Sequence, residues 1–199
     1  MMHPKKYAAE LLGTFLLAFM VRLSLMAHFP VPTPVIAGLT LGLGVYMLGG
    51  ISGAHLNPAV TIALASIRKL PVFDALWYLV AQLGGGYLAY VLSDAMTGLH
   101  FTLPIINLTV MHLSIAEAVG AAILVLGVSS VVHGKAPHDA SGLTIGTALA
   151  LGAMAASSVS AGIVNPAVAL ALGSFSLAYI VGPIVGGVVA AWGYKMLVR

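Results

Sequence analysis

The tetrapeptide Asn57-Pro58-Ala59-Val60 recurs as Asn165-Pro166-Ala167-Val168, and each copy sits at the same place in a chain that is one unit written twice. Ala9-Glu10-Leu11-Leu12-Gly13 is echoed by Ala116-Glu117-Ala118-Val119-Gly120, an offset of 107 from 117 less 10, while the tetrapeptides stand 108 apart, from 165 less 57. Between these anchors Gly38-Leu39-Thr40-Leu41-Gly42 resembles Gly142-Leu143-Thr144-Ile145-Gly146. At average residue usage a given tripeptide arises by chance roughly once in 8,000 positions. Two copies in register with a longer repeat therefore point to duplication.

The solvent for this fold is lipid. The chain is 60% hydrophobic and 7% charged, with a mean hydropathy of +1.08, whereas a soluble domain is about one quarter charged. Apolar runs predict an all-α membrane protein with six spanning helices at about 7–28, 33–50, 72–93, 112–132, 141–158 and 176–197. A secretory leader is the other reading of Met1 to Lys6 and the run after it, but that run is long for a signal core and contains Glu10 and Arg22. Three spans per half turn the second copy over, so residues 1–100 and 101–199 are expected to form two inverted repeats of a single domain, a plan shared by channels and transporters, with a pore between them. Lys5, Lys6, Arg68, Lys69, Lys135, Lys195 and Arg199 all fall on one side of this topology. The positive-inside rule then makes both termini cytoplasmic.

The segments after the two Asn-Pro pairs are too short to span. Asn is a favoured N-cap and Pro at the first helical position already has the required φ, so Asn57-Pro58 and Asn165-Pro166 start helices. From Pro58 to about Arg68 such a helix would be roughly 15 Å long, half the hydrocarbon core. Ala59 and Ala167 are small enough for two such ends, meeting near the midplane from opposite sides, to approach closely. Capping uses the Asn oxygen and leaves amide donors for a passing water or hydroxyl, while two helix N-termini disfavour cations at the same spot. The stretches before the caps, Ser52 to Leu56 and Ser160 to Val164, must be irregular, which membrane depth tolerates only beside a cavity. Their carbonyls, at Gly53, Ala54, His55, Leu56, Ala161 and Ile163, are expected to form a ladder of acceptors.

On these motifs the chain resembles the aquaporin and glycerol-facilitator family, the major intrinsic proteins, from Ala9-Glu10 to the last helix. The resemblance implies six spanning helices, two re-entrant half-helices, one pore per subunit and a homotetramer in the lipid bilayer. It assigns Glu10 and Glu117 to the support of the re-entrant loops, although an intramembrane glutamate alone suggests a proton relay. It gives His55 a pore-lining carbonyl, with the imidazole serving loop structure. Relatives usually carry an arginine three residues after the second motif's Asn, where this chain has Val168. Counting back from the motifs puts Ala37, Ala153 and Gly162 at the other filter positions. A filter built of these four is wide and poor in donors, so water and neutral solutes such as glycerol, urea or ammonia are the expected cargo.

Arg22 stands apart, about 18 Å beyond Glu10 along its helix, where it could supply a guanidinium to the filter, pair across a subunit interface or snorkel to headgroups. Inverted repeats and broken helices also serve secondary transporters, and an altered filter could accompany a closed, structural pore. No nucleophile and base, metal-ligand cluster or phosphate loop is apparent, so neither an enzyme nor a cofactor or metal site is expected, and no nucleic-acid partner.

Overall fold

A computed structural model describes residues 3–104 and 106–199. Met1, Met2 and Ile105 lie outside the described residues; the first two belong to the stretch weighed above as a leader. Among the described residues, six helices are long and apolar enough to cross a membrane, the fifth of them counted with the 3-10 turn that leads into it. They are α1 (Pro4–Met26), α2 (Thr33–Ser52), α4 (Val72–Thr97), α5 (Val110–Val132), α6 (Ser141–Ser157) and α8 (Leu177–Leu197), with two short helices, α3 (Pro58–Ser66) and α7 (Pro166–Ala171), between them. A single 3-10 turn, His138–Ala140, leads into α6.

The ends of these helices follow local chemistry. Pro4 and Pro34 occupy first-turn positions, where a missing N–H costs nothing. The fourth helix runs four residues past its predicted end at 93 and stops on Gly98, whose φ of +69° closes the turn. The first half-helix stops at Ser66, just short of the expected Arg68. Lys69 N–H there donates back to the Leu64 carbonyl at 2.9 Å while Arg68 takes φ +66°.

Each half packs its own helices as the repeat requires: α1 lies against α2 and α4, and α5 against α6 and α8. The halves are joined crosswise. Helix α3 packs on α8, α7 packs on α4, and α2 meets α6 across the middle. Glycines allow that last approach, since a Cβ added to Gly42 would lie 2.8 Å from the Gly142 carbonyl oxygen. In lipid such close backbone contact is the main source of helix association, because the surrounding tails are as apolar as the side chains. Large apolar side chains such as Leu39, Leu143 and Val189 are accordingly left on the outside.

Gly42→Val should lower stability by about 1–3 kcal/mol through overpacking against α6. Gly193→Ala meets nothing within 4 Å and should be neutral to slightly stabilising. Thermal unfolding of the detergent-solubilised protein checks both.

Candidate functional site: the paired half-helices

Both short helices begin as the sequence predicts. Asn57 Oδ1 accepts the Ala59 N–H at 2.8 Å, and Asn165 Oδ1 accepts those of Ala167 at 3.0 Å and Val168 at 3.5 Å. The amide nitrogens do something the sequence reading leaves out. Asn57 Nδ2 donates to the Val164 carbonyl and Asn165 Nδ2 to the Leu56 carbonyl, each at 2.9 Å. One hydrogen of each amide is therefore spent on the opposite loop, and one remains for a solute. Helices α3 and α7, which open with Pro58-Ala59 and Pro166-Ala167, are also in contact.

Irregular backbone leads into each cap. Gly53, Ala54 and Leu56 have φ of +90°, +49° and +49°, and Gly162 and Val164 have +63° and +48°. The left-handed region is uncomfortable for a branched side chain such as Val164, at a cost of roughly 1–2 kcal/mol. Carboxylates offset it. Glu10 Oε1 accepts the His55 N–H at 3.0 Å and the Ser52 hydroxyl at 2.6 Å; Oε2 accepts the Leu56 N–H and Gln82 Nε2, each at 2.8 Å. Glu117 Oε1 accepts the Ile163 N–H at 3.0 Å and the Ser160 hydroxyl at 2.7 Å, and Oε2 accepts the Val164 N–H at 2.5 Å. Both glutamates are fully buried. Ser52 and Ser160 also take the N–H groups of Ala54 and Gly162 at 3.0 and 3.1 Å. The sequence reading missed these serines as functional, although each sits five residues before its Asn.

On one side of the paired Asn residues, a cavity of about 780 Å³ is bordered by Gly53, Ala54 and His55, and further out by Lys6, Lys69, His138 and Asp139. The His55 ring lies 5.2 Å edge-on from Tyr78, and its Nδ1 is 3.2 Å from Thr61 Oγ1. The imidazole is thus engaged with the loop's surroundings. On the other side, a cavity of about 410 Å³ is lined by Ala37, Ala153, Gly162 and Val168 together with Ala161, Ile163 and Asn165. All four predicted filter positions come together here. Gly162 is required at its place, because a Cβ would collide with the Ala153 carbonyl and the Ser157 hydroxyl. Leu17, Val21, Leu149, Leu172 and Leu103 complete an aliphatic wall that the count from the motifs did not include. Leu56 differs from the expected ladder: it borders neither cavity, its carbonyl holds Asn165, and its side chain fills the space beside Gly13 and Gly44.

Arg22 corrects the sequence reading on every count. It is fully buried within the chain, so it reaches neither headgroups nor a subunit surface, and it is absent from the lining of both cavities. Its guanidinium is taken up by Ser93, Asp94 and the Ala171 carbonyl. A buried guanidinium needs such a set of acceptors to offset its desolvation. Among the described residues, no group of three or more His, Asp or Glu is placed to hold a metal ion.

The family model for the major intrinsic protein matches residues 1–194. A probable aquaporin AqpM from Archaeoglobus fulgidus is 33% identical, the match covering 98% of this chain and 97% of that protein. A glycerol uptake facilitator protein-like 6 from Lactiplantibacillus plantarum is 34% identical over 97% of this chain and 98% of its own. Among solved structures, the aquaglyceroporin from Plasmodium falciparum shares the fold at a TM-score of 0.83, with 19% identity over 99% of this chain and 97% of that one.

Replacing Glu117 by Ala strands two buried N–H groups, those of Ile163 and Val164, each costing about 1–3 kcal/mol, while the Ser160 hydroxyl keeps the Ala156 carbonyl at 3.0 Å. Glu117→Ala should therefore unfold at a distinctly lower temperature than Glu117→Gln, which keeps one acceptor oxygen. Differential scanning fluorimetry in detergent separates the two.

Proposed function

The chain belongs to the major intrinsic protein family, whose members are channels and not enzymes, and from that premise we propose a passive pore whose wide, arginine-free filter passes water together with larger or less polar neutral solutes. By membership this is an integral multi-pass membrane protein and a channel for water and small solutes. The breadth of its cargo rests on the smaller cavity, here taken as the outer one. Where relatives usually carry an arginine, Val168 lines the cavity with Ala37, Ala153 and Gly162, and the other lining side chains are mostly aliphatic, with Thr33, Ser157 and Asn165 the polar ones.

A solute entering this cavity finds few donors to replace its hydration. The alkyl face of glycerol gains contact with such a wall, and the width of the cavity rather than its donors then sets which neutral solutes enter. Beyond it, the free amide hydrogens of Asn57 and Asn165 offer two donors to one acceptor oxygen, and the helix N-termini behind them oppose a cation. The loop carbonyls at Gly53, Ala54, His55, Ala161 and Ile163 would supply the acceptors. Passive passage fits the carboxylates as well. Each oxygen of Glu10 and Glu117 already accepts at least one bond from the protein, leaving no evident seat for a coupling ion.

Residues 1–100 and 101–199 act in this reading as inverted halves of one domain. Lys6 and Lys69, which border the larger cavity, mark its mouth as cytoplasmic under the positive-inside rule, with both termini on that side. Four such subunits would form the homotetramer that the family resemblance implies.

Stopped-flow light scattering on proteoliposomes tests the proposal. Water and at least one of glycerol, urea and ammonia should equilibrate faster than in empty vesicles; passage of water with exclusion of all three overturns it. Val168→Arg should lower the glycerol-to-water permeability ratio by roughly tenfold, the discrimination that one misfitting side chain provides in an apolar pocket.

A further inference from the structure

The wall of the outer cavity has a buried support behind it. Arg22 Nε donates to Ser93 Oγ and Nη1 to the Ala171 carbonyl, each at 2.6 Å, while Nη2 pairs with the Asp94 carboxylate. The guanidinium carbon lies 4.6 Å from the centre of the Tyr90 ring and 5.6 Å from that of Phe101. These partners come from the end of α4, the last residue of α7 and the loop that follows α4. Arg22 is thus a bracket joining α1 to three other segments.

Three of the four segments place a cavity residue beside their contact with this bracket. Val21 precedes Arg22, Leu172 follows Ala171, and Leu103 comes two residues after Phe101; all three line the cavity. Leu103 N–H also donates to the Leu172 carbonyl at 3.3 Å, which ties the loop to the half-helix end. Moving the guanidinium would therefore move three parts of the aliphatic wall together.

We propose that Arg22 is a positioning residue for solute selection: from outside the pore it sets the separation of Val21, Leu103 and Leu172. The planar fork suits the task. It satisfies a hydroxyl, a carbonyl and a carboxylate in fixed directions while its faces meet two rings, whereas an ammonium is a point charge on a flexible stem. The positive charge also suits the Ala171 carbonyl, at the negative end of α7. Asp94 compensates the charge, and its other oxygen is 2.8 Å from His100 Nδ1 at the exposed edge. The proposal rests on the outer cavity being the filter.

The test compares the glycerol-to-water permeability ratio in proteoliposomes, which cancels differences in the amount of inserted channel. Arg22→Lys keeps the charge without the fork, and the paired change Arg22→Leu with Asp94→Leu removes both charges. Both should still conduct water, with the ratio shifted by roughly threefold or more, in the range of coupling effects transmitted through packed residues. Wild-type ratios in both, beside a changed ratio in Val168→Arg, overturn the role of Arg22 and leave the filter reading standing. A ratio unmoved by Val168→Arg as well overturns the filter reading and the inference with it. Should neither Arg22 variant insert, Phe101→Ala decides on the same ratio, since it removes only one ring from the bracket; an unchanged value there overturns the proposal.

Discussion

A chain that unwinds inside a bilayer must find a partner for every N–H and C=O it frees, because lipid offers none. Here the unwound stretches before Asn57 and Asn165 are held by two glutamates on the first helix of each half. Glu10 takes the N–H groups of His55 and Leu56, and Glu117 those of Ile163 and Val164. With those donors fixed, the left-handed turns at Leu56 and Val164 aim their carbonyls at the Asn amides of the opposite loop. The half-helix ends then meet, and the cavities open on either side of them. Without the carboxylates, the N–H groups would have to return to helical bonding or go unpaired, and neither leaves room for a pore.

The duplicated scaffold carries different chemistry in its two halves. Around the first loop, Gln82 Nε2 bridges Glu10 and Thr61, while Tyr78 donates to the Ser52 carbonyl at 2.6 Å. At the offset of 108, Thr61 becomes Ala169. In the last helix of each half, where Gly86 and Gly187 take corresponding places against the opposite half-helix, Tyr78 and Gln82 correspond to Tyr179 and Pro183, so the second loop lacks the Gln82–Thr61 bridge. Its bracing comes from the other end of the half-helix. Arg22 binds the Ala171 carbonyl there, and at the corresponding end of α3, Lys195 Nζ donates to the Ile67 carbonyl at 3.2 Å while lying over Trp192. Each half-helix therefore ends on a cation, which suits the sign of its dipole. The larger cavity carries lysine, histidine and aspartate among its apolar lining residues, whereas the smaller one has no charged residue in its lining.

What the sequence revealed was whatever local chemistry or repetition determines. Asn-Pro is a strong helix-start signal, and the family resemblance, more than the residues alone, assigned the two repeated glutamates to the support of the loops. The four filter positions came from the family resemblance, located by counting from motifs that fix the register. The rest depends on contacts between distant residues. Arg22 looked unpaired because its carboxylate partner lies 72 residues away, at the far end of another helix. The cross-bonds of the Asn amides were hidden for the same reason, their acceptors being 107 and 109 residues off. Gln82 offered a usable signal: it is the chain's single glutamine, in an apolar run where a polar side chain needs a partner.

The buried pair also bears on electrostatics. An arginine in the filter would present a free positive charge to the pore, whereas Arg22 stands behind the wall with its charge matched by Asp94. At separations beyond the pair itself, the two fields largely cancel. Under the proposed reading, opposition to cations falls to the half-helix ends, where the partial charges are fixed by backbone rather than by a side chain. Those ends are held in place by Glu10, Glu117 and the crossed Asn bonds. Under that same proposal, the groups that make unwinding possible in lipid would also carry the selectivity that the missing arginine would otherwise share.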